Sequence, residues 1–180
     1  QVSGLMRHLP GAEFDQRLIT GYCADGEADY LDTQAPDVVA TRLDGLGRAI
    51  RPGDDARALR QLIRQMRDFR PHIVHTHTAK AGVLGRAATR LSGVGSATVH
   101  TFHGHLLNGY FSPAKTRAVI AMEASLARGT DRLVAVGAQV REDLLAAGIG
   151  HRDQFAIIAP GLELPIARSR QAVRREMGIP

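Results

Sequence analysis

Short β-rich runs alternate with amphipathic helical segments along the whole chain, and this alternation limits the fold more than any other feature. Strands separated by helices pair in parallel and need helices to cover them, so the class is α/β with a Rossmann-like, doubly wound parallel sheet. The expected strands are Phe14 to Gly21, Val38 to Leu43, His72 to Thr78, Ala97 to Phe102, Leu133 to Val136 and Phe155 to Ala159. The clearest helix has Asp54 or Asp55 as N-cap and ends at Phe69 before Pro71. Its Leu59, Leu62, Ile63 and Met66 share one face, and Arg57, Arg60, Arg64 and Arg67 share the opposite one. Further helices are expected over Gly82 to Leu91 (inward Val83, Leu84, Ala87, Ala88 and Leu91), Ala114 to Arg128, Ala138 to Ala147 and Arg168 to Met177.

The first segment, Val2 to Leu9, reads as a helix closed by Pro10-Gly11, with no strand before it in the sequence. A doubly wound sheet places its first strand centrally, so the expected organisation is a domain over residues 1–165 that lacks that strand. Residues 166–180 read as a helix and linker toward a further domain. An acidic loop holding Asp25, Glu27, Asp29, Asp32 and Asp37 is expected to be solvated surface.

Composition excludes some functions. Aromatic residues are 4% of the 180, which leaves no stacking platform for nucleic acid, so none is expected as a partner. No apolar run nears the roughly 18 residues a membrane span needs. One cysteine, Cys23, cannot form an internal disulfide, which suits a reducing, cytoplasmic setting. The net charge of +5 is almost all arginine, lysine occurring only at Lys80 and Lys115. That charge, and the arginine face of the long helix, admit a peripheral contact with the inner face of a cell membrane; a solvated helix face is the plainer reading.

Ligands of open α/β sheets bind outside the carboxyl ends of the strands. His75 and His77 alternate on one strand and share a face, and Lys80, Ala81 and Gly82 follow in the turn into the next helix. The neighbouring strand ends in His103-Gly104-His105. His75 reads as a hydrogen-bonded core residue, whereas His77 and His103 stand at strand ends, where function is the better reading. His72 and His100 read as structural or surface residues. A lysine at a helix start is electrostatically misplaced, and an anionic ligand there would explain Lys80. The same histidines form an alternative constellation, a metallohydrolase site of His75 and His77 completed by His103 or His105. Such a site usually recruits a carboxylate, and the nearest, Glu123, is a helix away.

The stretch from His72 to Gly82 with Gly85-Arg86, then Val99 to His105, then Glu123 to Ala135 and Ile157 to Gly161, resembles family-four glycosyltransferases of the GT-B fold in order and spacing. The resemblance implies two Rossmann-like domains, of which this is the N-terminal, acceptor-side one. It implies a retaining, metal-free and cofactor-free reaction, with a nucleotide-sugar as donor substrate and a glycan or lipid-linked acceptor, in cell-surface polysaccharide synthesis. The C-terminal domain of the same chain is the implied partner that grips the donor, so this segment is expected to be inactive by itself.

In that resemblance His103 matches the histidine at the reaction centre. Lys80 with Ala81 and Gly82 matches an acceptor-side loop, where Gly82 would let a ligand approach the backbone. Glu123 matches a glutamate beneath the cleft, with a buried structural anchor as its alternative role. His77, Gly104, His105, Gly137 and Gly161 complete the expected substrate-binding set. Two departures fall on the cleft side: Gly137 stands where many relatives have serine, and Pro160-Gly161-Leu162-Glu163 replaces an Asn-Gly-hydrophobic-Asp ending. Gly109-Tyr110-Phe111 resembles members tied to capsule or lipopolysaccharide assembly. A nucleotide-sugar epimerase of the same architecture and a non-catalytic binding module are the competing readings.

Overall fold

The structure is a computed structural model that describes residues 1–24, 26–104, 112–161 and 169–179. Two parallel sheets form an α/β, Rossmann-like architecture. Strands β1 (Leu18–Thr20) and β2 (Ala40–Arg42) pair with each other, Leu18 beside Ala40. Strands β3 (Ile73–His77), β4 (Ala97–Phe102), β5 (Arg132–Ala135) and β6 (Phe155–Ile157) follow in spatial order, all parallel. No ladder joins β1 to β3 among the described residues, so each keeps one unpaired edge.

Helix α1 spans Val2–His8, α2 Tyr30–Thr33, α3 Pro52–Phe69, α4 Ala79–Ser92, α5 Pro113–Ala127, α6 Ala138–Ala146 and α7 Arg170–Glu176. Helix α3 starts two residues before the expected aspartates. Pro52 takes the first turn, where its fixed φ suits a helix and its missing N–H costs nothing, and Asp55 reaches back to accept the backbone N–H of Arg51. The apolar face of α3 (Leu62 and Met66, with Ala58) closes over Leu43, Leu46 and Ala88. Ile19 of β1 and Val74 of β3 both pack on this cluster, so α3 joins the two sheets through side chains. A second core lies under β4–β6, built from Phe102, Ala127, Leu133, Leu144 and Ile149.

Helix α4 corrects the sequence expectation in both extent and face. It begins three residues early, at Ala79, and Leu91, expected inward, is 57% exposed. Ala88 is buried as expected, and the rest of the buried face is Gly82, Gly85, Arg86, Thr89 and Ser92. The glycines explain this choice. A Cβ on Gly85 would stand 2.7 Å from Thr76 Cγ2, and one on Gly82 would stand 2.5 Å from His100 Cε1. Helix and sheet meet closer than an alanine would allow, and the polar groups buried with them find local acceptors: Thr89 donates to Gly85 O and Ser92 to Thr89 O.

The acidic loop is exposed surface, as expected, at Glu27, Asp32 and Asp37, and its carboxylates pair with arginines. Asp29 caps α2 and, with Asp32, holds Arg42; Glu27 meets Arg48, and Asp37 meets Arg7 at 2.7 Å. The Arg7 hydrogen bond draws the Asp37 carboxyl down to about 2. Cys23 is exposed, and its thiol is pushed up by partial desolvation and by the neighbouring Asp29 and Glu27 carboxylates, so it gains no nucleophilic character. Asp25 lies outside the described residues. No helix among the described residues is long and apolar enough to cross a membrane.

Candidate functional site

The register of β3 against β4 assembles the site. His75 stands beside Val99 and His77 beside Thr101, so alternation sends His75, His77 and Thr101 to one face of the sheet, and His103, just past the end of β4, meets His77 there. Thr76, His100 and Phe102 take the other face, under the helices. On the first face His75 Nε2 is hydrogen-bonded to Thr101 Oγ1 at 2.7 Å, and its ring centroid lies 4.2 Å from that of His77. His77 Nδ1 in turn lies 3.0 Å from His103 Nε2, with the rings tilted 37°. Three histidines thus run in a row toward the carboxyl ends of the strands. His75 is hydrogen-bonded as expected, but on the open side of the sheet and not in the core.

All of these imidazoles are held below their ordinary range. Burial is the main cause for His77, lowered to about 3, with repulsion from the protonated forms of His75 and His103 adding to it. Burial likewise lowers His75 and His103. The row is therefore neutral at neutral pH, and its members exchange hydrogen bonds as donor and acceptor.

His100, read from sequence as structural or surface, is fully buried behind this row, 2% exposed, with Nδ1 2.9 Å from the Thr76 hydroxyl. Burial, then the nearby Arg86 charge, pushes it down to about 2. Gly82, expected to open the backbone to a ligand, here accommodates the His100 ring. Ala81 packs against the first core.

Lys80 sits in the first turn of α4 with the anion that its position demanded: Asp55 Oδ1 of α3 lies 2.6 Å from Nζ. The ammonium also donates to the carbonyls of Gly45 and Ala49, tying the loop after β2 to α4. Glu123 of α5 accepts from Arg86 Nη2 at 2.6 Å, with both side chains nearly closed to solvent at 8% and 2% exposure. This matches the structural anchor weighed for it. Both partnerships bridge residues 25 to 37 positions apart, a distance over which local sequence patterns carry no signal.

Gly104 follows His103 with φ +149°, a conformation that favours glycine, and a Cβ there would meet nothing. Gly137 precedes α6 and Gly161 follows β6, both with open space where a Cβ would stand. His105, Gly109, Tyr110, Phe111, Leu162 and Glu163 lie outside the described residues. Thr78 was missed by sequence reading. It joins His77 to α4 at φ +64°, ψ +163°, a region that non-glycine residues rarely enter and that costs about 1–3 kcal/mol.

Among the described residues no group of three or more His, Cys, Asp or Glu side chains is arranged to hold a metal ion. Two surface depressions of about 380 and 580 Å³ are lined by α1, α2 and the β1–β2 pair, away from every expected site residue. Neither depression includes a histidine of the row, in which His75 and His103 are exposed.

The family model described as a glycosyl transferase 4-like domain matches residues 1–161. The UDP-Gal:alpha-D-GlcNAc-diphosphoundecaprenol alpha-1,3-galactosyltransferase of Escherichia coli is 32% identical over 162 residues, covering 87% of this chain. The chain spans 39% of that relative's length. The crystal structure of a glycosyltransferase from Rickettsia africae ESF-5 superposes with a TM-score of 0.60 at 17% identity, over 89% of this chain and 41% of that one, a likeness of fold. By its match over residues 1–161, the chain belongs to the glycosyl transferase 4-like domain family, and its fold is that of the N-terminal domain of a GT-B glycosyltransferase.

Proposed function

We propose that the full-length protein is a retaining glycosyltransferase that moves a sugar from a nucleotide-sugar to a lipid-linked acceptor for cell-surface polysaccharide synthesis. Residues 1–165 supply the acceptor-side domain, and the segment from 166 onward leads to a donor-binding domain. The observation that carries this reading is the neutral His77–His103 pair at the carboxyl ends of adjacent parallel strands, where open α/β sheets bind ligands. The exposed His103 suits one wall of a cleft that a second domain would close.

His103 is the residue we assign to the transferring sugar. A neutral imidazole can hydrogen-bond a sugar hydroxyl and hold it through the transition state without bringing a competing charge to the donor diphosphate. The reaction takes place in the cytoplasm at the inner membrane face, and it uses neither metal nor organic cofactor. The reaction named for the Escherichia coli relative favours transferase over epimerase chemistry and suggests the first substrates to try. The Gly137 and Pro160-Gly161 departures stand where donor or acceptor choice would be set.

The test uses purified full-length protein with UDP-galactose and a GlcNAc-diphospho-undecaprenol acceptor. Replacing His103 by Ala should lower turnover at least about tenfold, as loss of one transition-state hydrogen bond does. Unchanged turnover would remove His103 from the reaction. The anomeric configuration of the product, read by NMR, decides retention: an α-linkage from the α-configured donor supports it and a β-linkage overturns it.

A further inference from the structure

The contact between His77 and His103 is made by ring nitrogens, Nδ1 of the first and Nε2 of the second, 3.0 Å apart. Both rings are neutral at neutral pH, so the bond needs one N–H and one lone pair. Two assignments satisfy it. In the first, His103 donates Nε2–H to the Nδ1 lone pair of His77, and both rings keep Nε2–H, the commoner tautomer of a neutral histidine side chain. In the second, His77 donates Nδ1–H, and a neutral His103 must carry its own proton on Nδ1; both rings then hold the rarer form. The first assignment costs less, and the hydrogen bond made at one ring nitrogen fixes the state of the other.

The pair is also supported from behind. The His75 ring lies 4.2 Å from the His77 ring and is itself anchored at Nε2 by the Thr101 hydroxyl. Thr101 lies in β4 and His103 directly follows its last residue, so one stretch of chain anchors both ends of the row. Each ring keeps one nitrogen outside this bond, Nε2 of His77 and Nδ1 of His103, and His103 is the more exposed of the two.

We propose that His77 is a positioning residue that holds His103 as the Nε2–H tautomer, so that His103 offers its Nδ1 lone pair as an acceptor to a hydroxyl of the ligand. This rests on the reading of His103 as the residue that meets the sugar, and it deepens that reading. It sets the chemistry of the contact: a lone pair accepts from an O–H and repels phosphate or carbonyl oxygen. The group met by His103 is then a sugar hydroxyl and not the diphosphate. It also moves His77 from the substrate-binding set to the support of its neighbour.

Two measurements on the full-length protein test this. Long-range proton–nitrogen NMR of histidine-labelled enzyme should show His103 with Nε2 protonated and Nδ1 bare in the wild type, and an averaged pattern in His77→Ala. A protonated Nδ1 in the wild type, or an unchanged pattern in His77→Ala, overturns the proposal. In the transfer assay His77→Ala should lower kcat about tenfold through loosened positioning, with KM changed less. His77→Asn places an amide where Nδ1 stood and should recover most of the rate. An Asn variant as slow as the Ala variant means the rest of the ring acts on substrate, and an Ala variant at wild-type rate means His77 does not position His103; either result defeats the proposal. A slow His103→Ala beside a fast His77→Ala removes this inference alone, whereas a fast His103→Ala removes the function assigned to the site.

Discussion

Glu123→Ala should be among the most damaging single substitutions in the domain. The change leaves Arg86, 2% exposed, with its guanidinium buried and its charge unmet. Arg86 would keep its Nε bond to Gly82 O at 3.0 Å, but Nη1 already lacks a partner and Nη2 would lose its own. Breaking one side of a buried ion pair costs about 3–5 kcal/mol, because the remaining charge has neither water nor counter-ion. For a domain of this size about 1 kcal/mol shifts Tm by roughly 2–4 °C, so the expected loss is on the order of 10 °C. Replacing both partners together, Arg86→Met with Glu123→Leu, removes the charge with its counter-charge and should cost about 1 kcal/mol or less. A cycle of wild type, Arg86→Met, Glu123→Leu and the double variant can be compared by calorimetry beside Glu123→Ala, following the transition of this domain. The coupling energy should exceed about 1.5 kcal/mol, within the range seen for residues in direct contact. A Glu123→Ala loss below about 1 kcal/mol, or a double variant as unstable as the single one, would refute the reasoning.

Two more predictions follow from His100 and the glycines around it. Gly82→Ala must push a Cβ into the His100 ring and should cost about 1–3 kcal/mol despite alanine's better helix propensity. Gly4→Ala in α1, where nothing lies within 4 Å, should instead stabilise by about 0.5–1 kcal/mol; equal effects at the two sites in a urea titration would contradict the packing described. His100 is neutral in the fold to about pH 2, whereas unfolded histidine takes up a proton near pH 6.5. The unfolded state therefore gains the proton first, so stability is full above about pH 6.5 and falls below it by about 1.4 kcal/mol per pH unit for this residue. His100→Asn, whose amide can keep the Thr76 contact, should lower the slope of stability against pH by one proton between pH 4 and 6, and an unchanged slope would sink the assignment.

The sequence carried the site further than the packing behind it. Alternation along β3 put His75 and His77 on one face, and parallel pairing with the next strand brought His103 beside them; each step is a local pattern with a fixed period. The face of α4 read from its apolar residues was right at Ala88 and Leu84 and wrong at Leu91, because the helix is also seated by Gly82 and Gly85 and buries polar groups beside them. Nothing near Arg86 announces Glu123, nor does anything near Lys80 announce Asp55, since each partner arrives from another helix. The start of α3 was misplaced by two aspartates that look like caps, when Pro52 was the better signal. Thr78 shows the reverse case: a strained backbone leaves no trace in residue type unless glycine fills the position.

The way α3 joins the sheets also sets how the domain comes apart. Because β1 and β2 share no ladder with β3–β6 among the described residues, the small sheet can open without breaking one backbone bond of the large one, at the cost of the side-chain contacts that Ile19, Leu43 and Leu46 make with α3 and of the Lys80 bonds to Gly45 and Ala49. The chain thus has a seam, and partial opening along it is a smaller event than global unfolding. Amides of Leu18–Thr20 and Ala40–Arg42 should exchange with solvent as one group, earlier than those of β4 and β5, and any segment that laid backbone along the edges of β1 and β3 would merge the two groups into one.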